Sequence, residues 1–238
     1  MSTEGLIDDR NIELWCLLNN DFEIEIVKEI RDNYSVYTID NKATIYVPID
    51  NINSSSFTHE LLHVFLRSKQ IFISTDLTMR IKENKILSRI MSDNLLKHIG
   101  NCLDHIKILP LYLKLGYENS EFISDFHIHK LSDNEILNIK RNYCSTINFK
   151  KYYSKSAIDF FIGKFFAAVV CSNEDFNYKE QLIKLKKIDN ELFDILELFF
   201  IEWQNFDLVD DNPLNLYYTI EYKFECNLEN WARKKTIR

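Results

Sequence analysis

His59, Glu60 and His63 lie in the pentapeptide His59-Glu60-Leu61-Leu62-His63, and their types and spacing suit a metal centre that performs hydrolysis. On an α-helix, positions four apart share a face, so both imidazoles can address one ion while Glu60 sits about 100° further round. Zn2+ with three protein ligands keeps a fourth position for water, lowers the pKa of that water towards ~7 and polarises a carbonyl. Glu60 then has the chemistry of a general base, taking the water's proton and passing it to the leaving amine. The plainer alternative is a chance pentapeptide on an amphipathic helix.

The surroundings favour the site. Phe57, Leu61, Leu62 and Phe65 repeat at helical spacing and predict a helix over residues 57–68, with Ser54-Ser55-Ser56 offering N-caps. Ahead of it, residues 34–39 and 43–48 are β-branched and aromatic around the turn chemistry of Asp40-Asn41-Lys42, which predicts a hairpin. Residues 22–31 read as a further helix. Beyond the motif, residues 71–73 form a short apolar connection. Ile86, Leu95, Ile99, Cys102, Ile106 and Leu109 then place one long helix over residues 82–109, ending at Pro110. Gly116 closes the short helix that follows.

Ser132 with Glu135 makes a capping box that opens another helix, residues 158–171 read as a buried helix, and residues 175–206 carry apolar residues at three- and four-residue steps. Residues 217–226 fit helix or strand. The fold class is therefore α+β, with a sheet-plus-helix N-terminal half and a mostly helical C-terminal half. Residues 1–130 are expected to carry the metal site, and residues 131–238 to form a helical region packed on it, either as a second domain or as part of one continuous domain.

With the pentapeptide on a helix directly after a hairpin, the chain resembles the zincin superfamily of HExxH zinc metallopeptidases over residues 20–120. The resemblance implies a zincin-like sheet, Zn2+ on His59 and His63, Glu60 as base, and a peptide or protein substrate. In zincins an extended substrate pairs with the sheet's edge strand, which points to residues 43–48. The resemblance also implies a third ligand downstream. The extended H-E-x-x-H-x-x-G-x-x-H pattern is absent, since Leu66 and Lys69-Gln70 occupy its Gly and His positions, and Glu83 lacks the N-E-x-x-S-D context.

His98, Asn101 and His105 form a polar stripe beside the apolar stripe of the second helix, so His105 can face the first helix and complete a three-histidine cage. Asp104 is the alternative third ligand, or the carboxylate that fixes an imidazole tautomer. His127 and His129 read as a surface turn. Tyr112 and Tyr117 are among twelve tyrosines able to donate to an oxyanion, and nothing in the pattern selects between them.

The net charge of −7 argues against a phosphate-backbone binder. Five scattered cysteines without a C-x-x-C pair read as reduced core residues. The first ten residues lack the basic and apolar regions of a secretory signal, and no stretch is long and apolar enough to span a bilayer, so a cytoplasmic location is expected. The rival to a peptidase is a binding or regulatory protein of zincin-like shape whose metal is structural or absent.

Overall fold

A computed structural model of the protein describes residues 3–208 and 217–238. The fold is α+β, as the patterning predicts, with the larger sheet in the N-terminal half. Two compact units are present. Residues 1–72 and 106–127 make the first and residues 73–105 and 128–238 the second, so the division falls inside one helix, between His105 and Ile106.

The first unit begins with α1 (Ile12–Asp21), then β1 (Glu23–Glu29), β2 (Ser35–Ile39), β3 (Lys42–Pro48) and α2 (Ser54–Ser68). Its sheet has the order β1-β3-β2, with β1 parallel and β2 antiparallel to β3. Three expectations are corrected here. Residues 22–31 are not a helix: Glu23, Ile24, Glu25 and Ile26 alternate with the two-residue period of a strand, and that period wins. Residues 43–48 are not an edge, because β1 and β2 flank β3 on both sides, and Ala43, Ile45 and Val47 are wholly buried. The N-cap of α2 is Asn53, whose side chain accepts from the Ser56 N–H, so the three serines form the first turn instead.

The second unit contains α3 (Ile73–Glu83), a 3₁₀ turn (Leu87–Arg89) and the first part of α4 (Asp93–Lys114). One long helix from residue 82 does not form. The Asn84 side chain accepts from the backbone N–H groups of Ile86 and Leu87 and ends α3, while Ser92 Oγ accepts from the Leu95 N–H and starts α4. Nor does Pro110 end α4, which runs on to Lys114 before Gly116 closes it at φ +87°.

The rest of the second unit is α5 (Asp133–Asn142), the hairpin β4 (Cys144–Ile147) and β5 (Lys150–Tyr153), α6 (Lys155–Val169), α7 (Lys179–Lys186), α8 (Asn190–Asn205) and α9 (Tyr217–Arg233). The Ser132–Glu135 capping box opens α5. Residues 217–226 are helical. Asp189 splits the helical run of residues 175–206: one oxygen caps Leu192, and the other accepts from the Tyr143 hydroxyl and the Trp231 indole. Of the cysteines only Cys102 is buried. Cys16 and Cys144 are exposed, so the expectation of five core thiols is corrected.

Candidate metal centre

The helix α2 holds its register through both of its faces. Phe57, Leu61, Val64 and Leu66 are fully buried, and α2 packs on α1, β2 and β3. Directly ahead of His59, Thr58 is buried in a polar chain: Asn11 donates to its Oγ1 at 2.8 Å, and that hydroxyl lies 2.9 Å from the Tyr117 hydroxyl. Tyr117 in turn donates to Asp8 at 3.2 Å, and the Arg10 guanidinium beside Asp8 holds its carboxyl well below the usual carboxylate range. Asn11, Thr58 and Tyr117 are buried and bonded to one another, and with the half-exposed Asp8 they fix the start of α2 and with it the direction of His59.

His59 and His63 bring their Nε2 atoms to 3.2 Å. Together with His105 on α4 they form a group whose ligand atoms all lie within 4.8 Å of one another. Asp104 and Glu83 are not in that group. Asp104 is buried on α4 at the preceding position, and Glu83 is exposed at the end of α3. His127 and His129 are exposed in a turn, with His129 against the rings of Phe176 and Tyr178.

The His59 ring is buried against Phe122, with centroids 4.7 Å apart, and Phe122 meets Tyr112. Burial pushes the His59 imidazole down to about 3, the neighbouring His63 adds to this, and a hydrogen bond to the Phe122 backbone opposes it. The ring is therefore neutral near pH 7, as a metal ligand must be. Its Nε2 faces His63, and the Phe122 backbone acts on the same ring, the kind of outer partner that can select a tautomer.

No protein-family model, curated protein or solved structure matches the chain. Among the described residues no helix is long and apolar enough to cross a membrane.

The donor set fits a first-row divalent ion. Three imidazoles suit zinc, and nitrogens each about 2.0–2.1 Å from a tetrahedral ion stand roughly 3.3 Å apart, close to the separation observed for His59 and His63. His105, within the same 4.8 Å, has the reach to be the third.

Glu60 is buried, and burial raises its carboxyl. His63, Arg31 and a hydrogen bond from the Val36 backbone N–H act against that rise. Arg31 donates to Ser35 at 2.8 Å and lies over the Tyr46 ring, so the guanidinium is held by the sheet. Arg31, Val36 and Phe122 carry no signal in the sequence, because each meets the motif only through tertiary packing. Of the tyrosines, Tyr112 is fully buried and Tyr117 is engaged by Thr58 and Asp8.

Proposed function

We propose that the protein is a zinc-dependent hydrolase, and more narrowly a metallopeptidase of zincin type. The observation that carries this reading is the convergence of His59, His63 and His105 with Glu60 on the same helix as the first two. A zinc ion there supplies Lewis acidity towards a carbonyl and a water acidified towards pH ~7. His59 would bind through a ring kept neutral by burial, with His63 beside it on the same helix face. His105 closes the set in place of Asp104.

Glu60 is the proton carrier. Its raised carboxyl is a stronger base than an exposed glutamate, and a positioned carboxylate of that kind contributes ~10²–10⁴-fold by general-base action. β2 takes the role of substrate-pairing edge strand that the sequence suggests for residues 43–48. It is the antiparallel edge and packs against α2, so an extended peptide laid along it runs beside Glu60.

A second reading has an observation of its own. Arg31 and the Val36 backbone both act on the Glu60 carboxyl, which suits a purely structural acid in a non-catalytic protein with a structural metal. Incubating zinc-loaded protein with an unstructured substrate such as casein separates the two. Mass spectrometry should show new peptides with the wild type and none with Glu60→Gln. Absence of cleavage by both contradicts the peptidase reading and favours the structural one, whereas equal cleavage by both contradicts Glu60 as the base.

A further inference from the structure

The hairpin of β4 and β5 ends in a two-residue turn, Asn148 and Phe149, and both adopt left-handed backbone at φ +49° and +62°. Such turns match strand twist and are commonly filled by Asn-Gly, because a bulky side chain at positive φ crowds its own backbone. Phe149 stands where glycine is expected. Its side chain is fully exposed, and Ile147 beside it is 43% exposed. The tip thus combines backbone strain with bare apolar surface, and neither contributes to the core.

The charge around the tip is equally uneven. Between Glu135 and Asp159 the sequence has no acidic residue, while Lys140, Arg141, Lys150, Lys151 and Lys155 are all exposed, in a chain whose net charge is −7. Among the described residues none of these five cations is in an ion pair. The register pairs Ile147 with Lys150 and Thr146 with Lys151. Successive strand residues face opposite ways, so a cation flanks the tip on each face of the ribbon.

We propose that this tip docks the protein peripherally on an anionic lipid surface, with Phe149 and Ile147 entering the acyl boundary and Lys150 and Lys151 remaining among the headgroups. A projecting apolar end ringed by cations on both faces complements a surface that is soft, apolar within and negative outside. One aromatic and a few lysines make a weak, reversible and salt-sensitive attachment. The inference is independent of the metal centre.

Sedimentation of the full chain tests it, using vesicles of phosphatidylcholine with about one-third phosphatidylserine against vesicles of phosphatidylcholine alone. Binding is expected only with phosphatidylserine, with a decline as salt rises and at least a ~10-fold loss in both Phe149→Gly and the Lys150→Glu/Lys151→Glu double variant. Glycine relieves the positive φ, so Phe149→Gly should unfold at the same or higher denaturant, which separates lost binding from lost folding. No binding above the phosphatidylcholine control, including the case of a tip that seats in a protein pocket, overturns the proposal. Undiminished binding by Phe149→Gly overturns it as well.

Discussion

The Val36 backbone, on the edge strand β2, acts against the burial that raises the Glu60 carboxyl, so the acid of the metal-site helix faces that strand. Val36 is half-buried, and a polar backbone group in such a place loses stability when its polar neighbour is removed. Glutamine keeps an acceptor in place and alanine does not. Glu60→Gln is therefore expected to unfold within about 1 kcal/mol of the wild type, and Glu60→Ala to lose about 1–3 kcal/mol. Urea denaturation measures both, and equal stability of the two variants contradicts this link between Glu60 and β2.

The third ligand is tested by removing it. His105→Ala should weaken zinc affinity by ~10-fold or more, since even outer-sphere losses reach ~10 to 100-fold, whereas Glu83→Ala should leave affinity unchanged. Competition with a chromophoric chelator reads both. An Asp104→Ala loss exceeding that of His105→Ala reverses the assignment.

Burial of His59 makes the metal-stripped protein acid-sensitive. Above pH 6.5 the ring is neutral in folded and unfolded chains alike and contributes nothing to the pH dependence. Between pH 6.5 and about 3 only the unfolded chain takes up the proton, so stability falls with falling pH by up to about 1.4 kcal/mol per unit. Glu60, raised above 4.5, acts in the opposite sense: its contribution is lost as pH rises from there through its folded pKa. Unfolding of chelator-treated wild type and His59→Gln from pH 7 to 4 isolates the histidine. The wild type should show the steeper decline, and parallel curves contradict it.

Glu221, fully buried on α9, is pushed up to about 8 by burial and by Asp76, against the pull of Arg80. From pH 4.5 to 8 the unfolded chain releases this proton while the folded chain retains it, so stability declines as pH rises through that window. Glu221→Gln removes the effect and should be more stable than the wild type at pH 8 but not at pH 4.5. Thermal denaturation at the two pH values checks this, and a variant less stable at both overturns it.

The candidate site was more legible in the sequence than the elements around it. Two histidines four apart fix their shared face by helix geometry alone, and the polar stripe beside Ile99, Cys102 and Ile106 points to His105 while leaving Asp104 open beside it. What tertiary contacts decide stayed hidden. Asn84 and Ser92 break a periodic helical run through side-chain hydrogen bonds that periodicity does not register. The central position of β3 depends on β1, whose alternating Glu and Ile residues were legible as a strand but were outweighed by a helical reading of the same segment. Phe122 and Val36 reach the motif from distant chain positions, and no local pattern marks either one.

Elemental analysis of untagged protein, reconstituted with zinc and freed of excess, tests the metal-hydrolase reading most directly when Glu60→Gln and His63→Ala are measured beside the wild type. The geometry predicts about one zinc per chain in the wild type and in Glu60→Gln, and a sharp loss in His63→Ala, because the glutamate is a proton carrier and the histidine a ligand. No zinc above background in the wild type, or equal zinc in His63→Ala, contradicts a metal centre on His59, His63 and His105.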